Sequence, residues 1–318
     1  MVVGIDCSKD TLDVAYVDGN KTKFIGKFAN DQKGFVKLKR SIAESDLIVM
    51  EATGPYYMQL AFFLVEQRFP VSVVNPLVIK RFCQMKLVRA KTDKKDATMI
   101  ARYGQTEKPA LWIPPSALIL QIQQLETYLD GLKKRRTMVS NQLHSFKHTQ
   151  GVTDELRKDL EDEIAAYDKR IAKKEKEIDI LLEKEHKKLV KDLESIPGIG
   201  PRSSSLLTIT TNGFKDFESH KQVISYYGLA PRKFESGTSV KGKSSICKMG
   251  MSGVRKVLYM AAQSAIVYNK TCKDLYRRLR AKGKPHKVAK IAVVNKLIKQ
   301  AFAIAKSGLA YNEDFRLT

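Results

Sequence analysis

The middle of the chain constrains the fold most strongly, because apolar residues recur there at alternating intervals of four and three. The first run consists of Leu118, Ile122, Leu125, Leu129 and Leu132. This spacing is that of a coiled-coil seam. A second run extends from Leu160 to Leu181, and Gly151 and Thr153 between the runs are typical of a helix break and a new helix start. We therefore predict an antiparallel coiled-coil hairpin that serves as a linker over residues 113–192.

The segment before the hairpin has a different pattern, in which short apolar runs alternate with helical ones. Three strand-like runs precede residue 30, and the runs at 47–50 and 71–74 are each followed by a helical pattern. This alternation predicts an α/β domain with a mixed sheet. Consecutive prolines at 114 and 115 end the segment, because they cannot continue a helix. The element order matches the ribonuclease-H-like fold, which we place at residues 1–112.

Basic residues are concentrated after the hairpin. The chain has 57 Lys and Arg against 34 Asp and Glu, a net charge of +23, and residues 193–318 alone have 23 against 7. Such an excess predicts a polyanionic partner, with nucleic acid as the default. A merely soluble basic surface would distribute the lysines more evenly. Residues 116–192 have 16 against 15, so we expect the hairpin to act as a spacer or dimerisation element rather than to bind DNA.

The basic segment at 193–318 is predicted to be a mainly helical domain that contacts phosphate. It opens with Ile-Pro-Gly-Ile-Gly at 196–200, typical of a helix-hairpin-helix turn in which Gly198 and Gly200 leave backbone N–H groups free for phosphate. The same pattern also connects ordinary helices. Further candidates for nucleic-acid contacts are Lys91, Lys94, Lys95, Arg232, Lys241, Lys243, Lys248, Arg255, Arg277, Arg278 and Arg280.

Several other classes of protein are disfavoured. The four cysteines lie far apart without a CxxC pair, which argues against a zinc site or a disulfide framework and fits a reducing cytosol. No run of 18 apolar residues occurs, so we expect no membrane span, no signal peptide and a cytoplasmic location. Tyr226 and Tyr227 lie in an apolar run and are predicted to be core residues, which argues against a tyrosine recombinase.

Acidic residues end two of the apolar strands. Asp6 closes Val-Val-Gly-Ile-Asp and Glu51 closes Leu-Ile-Val-Met-Glu, so strands of one sheet would place both carboxylates at one edge. Asp93 and Asp96 are three residues apart and share a helix face. Four converging carboxylates repel one another unless cations lie between them. Hard oxygen ligands favour Mg²⁺ or Mn²⁺, and a pair of such ions suits an in-line phosphoryl displacement.

Simpler interpretations of these acids remain open. Asp93 could cap its helix while Asp96 faces solvent, and we assign Asp10, Asp13 and Asp31 to turns and surface. Sugar kinases and actin-like ATPases also begin with a strand, an Asp and a small-residue hairpin, as in 4–8. The second phosphate loop and the adenosine-binding glycine pair that this class requires are not found in the sequence.

A second chemical candidate is the segment Glu-Ser-Gly-Thr-Ser at 235–239, which lies in a basic stretch. A glycine after Ser236 allows close approach of a substrate backbone, and flanking cations can hold a phosphodiester. Taken alone, such a segment is more typical of a flexible phosphate-contact loop. No histidine lies nearby in sequence to act as a base, so a catalytic triad is not supported.

Together these motifs resemble one family, the DEDD transposases of the insertion-sequence-110 type, relatives of the pilin-gene invertase that are also called bridge recombinases. The resemblance spans nearly the whole chain in the right order. It rests on Gly4-Ile5-Asp6, the segments 51–56 and 91–97, the turn at 196–200, and the segments 228–231, 235–237 and 248–255.

The resemblance implies a DNA transposase or site-specific recombinase of a bacterial or archaeal cell, associated with the nucleoid. Its implied metal-binding tetrad is Asp6, Glu51, Asp93 and Asp96, and its implied nucleophile is Ser236, with Ser239 as the alternative. It also implies a covalent phosphoserine intermediate, donor and target DNA selected by a non-coding bridge RNA, and assembly into a homodimer or homotetramer. The main rival is a structure-selective endonuclease of the Holliday-junction type that uses water. A third class is a non-catalytic nucleic-acid scaffold.

Overall fold

The computed structural model describes residues 1–88, 92–232, 235–236, 240–241 and 245–313. For 235–236 and 240–241 only the backbone is described. The chain divides into two compact units, Met1–Pro114 and Pro115–Thr318. Within the described ranges, no helix has the length and apolar character needed to cross a membrane.

The described residues of the first unit form a five-stranded sheet and four helices. Its strands are β1 (Val2–Cys7), β2 (Thr11–Asp18), β3 (Lys21–Ala29), β4 (Leu47–Glu51) and β5 (Val71–Val74). Its helices are α1 (Gln32–Lys39), α2 (Met58–Glu66), α3 (Pro76–Met85) and α4 (Asp93–Glu107). The strand order is β3-β2-β1-β4-β5, with antiparallel pairing in the first three strands and parallel pairing from β1 to β5. The predicted mixed α/β sheet is confirmed.

Two glycines allow α4 to pack closely on the sheet. A Cβ atom at Gly4 of β1 would lie 2.3 Å from both the carbonyl oxygen of Ala97 and the backbone nitrogen of Ala101. A Cβ atom at Gly104 of α4 would lie 2.5 Å from Cγ2 of Val49 on β4. Close packing without these side chains therefore holds α4 antiparallel to β1, with its first turn near the C-terminal end of that strand.

The second unit is mainly helical. Its helices are α5 (Ala117–Phe146), α6 (Asp154–Glu194), α7 (Pro201–Thr210), α8 (His220–Tyr226), α9 (Ser252–Tyr268), α10 (Lys270–Ala281) and α11 (His286–Ser307). Its short strands are β6 (Pro231–Arg232), β7 (Glu235–Ser236), β8 (Val240–Lys241) and β9 (Ser245–Ile246), and β6 pairs with β9 while β7 pairs with β8.

The predicted pair of long helices is present as α5 and α6. Buried Ile122, Leu129 and Leu132 of α5 belong to one apolar cluster with buried residues of α6. Ion pairs join Lys133 to Glu175 at 2.6 Å and Arg136 to Asp168 at 2.7 Å, so the helices run antiparallel. As the sequence suggested, the side chain of Thr153 caps α6.

The remaining helices enclose a second apolar core. Val294 and Ile298 of α11 are fully buried in it. Tyr227 is also buried, and its hydroxyl lies 2.6 Å from Oγ1 of Thr210. The prediction that Tyr226 is a core residue is wrong, because this residue at the end of α8 is 41% exposed.

Candidate active site

A row of charged residues crosses the sheet of the first unit. The strand register pairs Asp6 of β1 with Asp13 of β2, and Asp13 with Lys27 of β3. On the other side, the parallel pairing of β1 with β4 ends one residue before Asp6 and Glu51, which places these two side by side. Paired residues of adjacent strands project to the same face of a sheet. From β3 to β4, the four strands therefore present Lys27, Asp13, Asp6 and Glu51 in that order, on the face that α4 covers.

The first turn of α4 supplies two more carboxylates. Its N-cap is Thr92, whose hydroxyl accepts a hydrogen bond from the backbone N–H of Lys95 at 3.3 Å. Asp93 is the first helical residue, so the alternative in which it caps the helix is wrong. Asp93 and Asp96 both lie in the first turn, where the helix dipole favours negative charge.

The tetrad residues share one electrostatic environment. The pKa of Asp6 is raised from 3.8 to about 6. Burial is the largest cause, because it disfavours the charged form, and the carboxylates of Asp96, Glu51, Asp93 and Asp13 follow in that order because each repels a second negative charge. Acids that are scattered over ninety positions of the sequence thus act on a single carboxyl group.

Asp13 is the residue that the sequence analysis missed. Its assignment to turns and surface is wrong, because it lies within β2 and its side chain is only 8% exposed. Nζ of Lys27 lies 3.5 Å from Oδ2 of Asp13 and 3.8 Å from Oδ2 of Asp93. One lysine therefore links a buried strand carboxylate to a carboxylate of the tetrad. The available signal was an acid flanked by Leu12 and Val14 in an apolar run, which is costly to bury without a partner.

Further contacts hold the carboxylates in place. The hydroxyl of Thr53 donates a hydrogen bond to Oε1 of Glu51 at 2.8 Å. Nζ of Lys94 lies over the ring of Phe24, 5.4 Å from its centroid. Because Phe24 and Lys27 both belong to β3, this edge strand contacts the first turn of α4 twice. The two contacts fix the helix end that carries the acidic pair.

The donor set has the chemistry of a divalent-cation site. Within the described ranges, no three His, Cys, Asp or Glu side chains converge closely enough to ligate one ion. Burial and the surrounding acids nevertheless raise the pKa of Asp6 to about 6, and a hard divalent cation would relieve the repulsion among the acids. Carboxylate oxygens are the ligands that Mg²⁺ and Mn²⁺ prefer, so the residues present fit such an ion.

The candidate nucleophile lies in the second unit. Ser236 is in β7, where the register pairs it with Val240 of β8, and only its backbone is described. The alternative serine, Ser239, and the cations Lys91 and Lys243 lie outside the described residues, and Lys241 is described by its backbone alone.

The predicted turn at 196–200 connects α6 to α7 and is fixed to α9. Gly198 has φ +106°, and a Cβ atom there would lie 2.6 Å from Cβ of Ala265. Nδ2 of Asn269, a fully buried residue, donates a hydrogen bond to the carbonyl of Pro197 at 3.3 Å. Gly200 is the N-cap of α7, and its N–H donates a hydrogen bond to Oγ of Ser203 at 3.1 Å, so the prediction that this N–H is free for phosphate is wrong.

The predicted phosphate contacts also include several basic residues of the second unit. Most of those described are exposed: Arg232, Lys248, Arg277, Arg278 and Arg280. Arg255 differs, because its Nη1 donates a hydrogen bond to the carbonyl of Tyr227 at 2.9 Å. That contact ties α9 to the end of α8, a structural use of Arg255 that the sequence did not indicate.

Comparison with known proteins shows the family to which the chain is related. Residues 3–146 match a transposase family of the DEDD, IS110 type, and residues 190–277 match the transposase family IS116/IS110/IS902. The chain is 31% identical over 323 residues to the pilin gene-inverting protein of Moraxella bovis. The aligned region covers 98% of this chain and 97% of that protein. The chain is 23% identical over 342 residues to a putative transposase of Sinorhizobium fredii, covering 98% of this chain and 85% of that protein.

Proposed function

The chain belongs to the IS110 family of transposases and is a DNA recombinase, and from this premise we propose that it cuts and rejoins DNA with a four-carboxylate metal centre and a nucleophilic serine. The observation that carries the proposal is geometric: the strand register places Asp6 and Glu51 side by side on the sheet face that α4 covers, and the first turn of α4 carries Asp93 and Asp96. We assign the first unit to the ribonuclease-H-like fold, whose sheet edge would hold this centre.

Asp6, Glu51, Asp93 and Asp96 would hold Mg²⁺ or Mn²⁺. When bound, such an ion polarises the scissile phosphate and stabilises charge on the leaving oxygen. The residues of this chain prepare the donor set for binding. Thr53 orients the Glu51 carboxylate, Lys27 holds Asp93, and Asp6 must lose its proton before it can act as a ligand.

Ser236 is the proposed nucleophile, with Ser239 as the alternative. Its oxygen forms a bond to the scissile phosphorus while the bond from phosphorus to the 3′-oxygen breaks. The hydroxyl proton passes to solvent, and the leaving 3′-oxygen takes up a proton. The phosphoserine ester conserves the energy of the broken bond, so attack by a 3′-hydroxyl rejoins the strand without a nucleoside triphosphate.

The test is to incubate labelled DNA carrying the recombination site with the protein and Mg²⁺, and to separate the products on a denaturing gel. The wild type should give a covalent protein–DNA adduct, Ser236→Ala should give none, and Asp6→Ala should cleave nothing while still binding DNA. An adduct that persists with Ser236→Ala would show that this serine is not the nucleophile. A structure-selective endonuclease would instead leave free 5′-phosphates and no adduct. A non-catalytic scaffold would show no dependence on Mg²⁺.

The proposed partners are donor and target DNA, a non-coding guide RNA and further copies of this chain in a dimer or tetramer. The relatives support DNA directly, because one is described as gene-inverting. Light scattering of the purified protein and a comparison of cleavage with and without the flanking non-coding RNA test the other two. We place the protein in the cytoplasm, with the DNA.

A further inference from the structure

The proposed chemistry of the serine and the four carboxylates gives no role to a large groove in the second unit. It has a volume of about 1240 Å³ and is bounded by three elements: α5 of the long helical pair, the turn at 196–200 with the start of α7, and α9. This volume exceeds that of most small-molecule sites, which span roughly 300–1,000 Å³. The groove is therefore suited to an extended ligand.

Cations dominate the charged lining of the groove. Lys133 and Lys134 come from α5, Arg202 from α7 and Lys256 from α9, whereas Asp130 is the only acid among the described residues of the lining. Within the described ranges, neither Lys134 nor Lys256 has an ion-pair partner, and both side chains are exposed. Two positive charges on opposite walls are therefore free to bind an anion.

The other two cations of the groove are held by acids of the unit. Arg202 makes a two-point ion pair with Glu126, one contact of which is 2.6 Å, and Lys133 lies 2.6 Å from Glu175. These pairs fix the walls of the groove rather than supply free charge. Lys134 and Lys256 are therefore the residues whose removal should change ligand binding without disturbing the fold.

The polar lining also has the composition of a phosphate-binding surface. Hydroxyls line the groove at Thr137, Ser252 and Ser264, together with the backbone at Gly198, whereas the Gly200 N–H and the buried Ser203 hydroxyl are hydrogen-bonded to each other. Lysine, serine, threonine and backbone N–H groups are the groups that contact nucleic-acid backbones. The apolar part of the lining includes Met138 and Met260, which are 70% and 63% exposed and could contact sugars.

We propose that this groove binds the sugar–phosphate backbone of a DNA strand, with Lys134 and Lys256 contacting phosphates from opposite walls. The inference rests on the proposed function only in taking DNA as the substrate. It also changes the interpretation of the helical pair, whose average charge is near neutral. That average conceals four consecutive cations at 133–136, and two of them line the groove.

The test is fluorescence anisotropy of a labelled DNA duplex over a range of salt concentrations, with the full chain. Lys134→Ala/Lys256→Ala should lower the slope of log K against log salt by about 1.8, since each lost phosphate contact contributes about 0.9. The matched control is Lys173→Ala/Lys176→Ala, which removes the same charge from exposed positions of α6 outside the groove. The control slope should remain close to that of the wild type. Thr137→Glu adds a carboxylate to the groove and should weaken binding further.

Each other outcome overturns the proposal. Equal losses in the groove and control variants would show a general effect of net charge. A loss confined to a single-stranded RNA of the same length would assign the groove to RNA, and a loss of self-association with unchanged DNA binding would make it a protein interface. Asp6→Ala separates this test from the proposed chemistry, because it should abolish cleavage and leave the slope unchanged.

Discussion

Replacement of Gly4 by alanine tests whether close packing of α4 on β1 builds the carboxylate site. The new Cβ atom would lie 2.3 Å from two backbone atoms, at Ala97 and Ala101. Ordinary van der Waals contact begins near 3.4 Å, so α4 must move away by about 1 Å. No flexible side chain can absorb the clash, because both atoms belong to the helix backbone.

The expected cost is about 2–3 kcal/mol, typical of overpacking in a core that cannot rearrange. For a unit of this size, that cost lowers the melting temperature by roughly 8–15 °C. The same displacement carries Asp93 and Asp96 away from Asp6, and a misplacement of about 1 Å can reduce a catalytic rate about 100-fold. Calorimetry of the purified variant and strand cleavage measured below its melting temperature would report the two effects separately.

Two other glycines provide graded controls. A Cβ atom at Gly104 meets side chains of Val49 and Val2 rather than backbone, so Gly104→Ala should cost less than Gly4→Ala. At Gly131, within α5, nothing lies within 4 Å of the added atom, and alanine there should stabilise the protein by about 0.5–1 kcal/mol through helix propensity. A Gly4→Ala protein as stable and active as the wild type would refute the argument that this contact sets the geometry of the site.

Two further predictions concern the charges of the site. Because the folded protein raises the pKa of Asp6 from 3.8 to about 6, the metal-free wild type should lose stability as the pH rises from 4 to 6, and the loss should be complete above pH 7. A rise in this pKa from 3.8 to about 6 corresponds to roughly 3 kcal/mol, which solvent screening of this partly exposed group reduces to about 1–2 kcal/mol. Urea unfolding with chelator tests this prediction. Asp6→Asn should be more stable than the wild type at pH 7.5 and equally stable at pH 4. Identical pH profiles would contradict the link between the Asp6 pKa and stability. Lys27→Met leaves the buried Asp13 without its cation and should lower the free energy of unfolding by about 1–2 kcal/mol. In an Asp13→Asn background the same change should lower it little. An equal loss in both backgrounds would show that Lys27 does not act through Asp13.

The sequence predicted those parts of the fold that depend on local pattern. Period and spacing predicted the two long helices, and the cap at Thr153 is where the sequence placed it. The strand-ending acids Asp6 and Glu51 were recognisable because an ionisable residue that closes an apolar run requires a reason. In each case the signal lies within a few residues of the position that it predicts.

Features that depend on strand order could not be predicted in the same way. Asp13 and Lys27 are fourteen residues apart, and nothing local shows that the register pairs them beside Asp6. The same applies to Arg255, whose partner is the carbonyl of Tyr227. The average charge of the helical pair was also misleading. Its nearly neutral total conceals the cations that line the groove.

The position of Lys27 also bears on why the site tolerates so many acids. Four carboxylates around Asp6 would destabilise a metal-free protein; burial and their repulsion raise the pKa of Asp6, so that a proton on Asp6 relieves part of the repulsion at acidic pH. Lys27 relieves another part from the edge strand, where its side chain is 51% exposed and its Nζ lies 3.5 Å from Asp13 and 3.8 Å from Asp93. Such an arrangement keeps the metal-free fold intact while leaving Asp6 and Glu51 without a described cation. A divalent ion would therefore find its strongest attraction at these two strand ends, and Asp93 and Asp96 would complete its set of ligands.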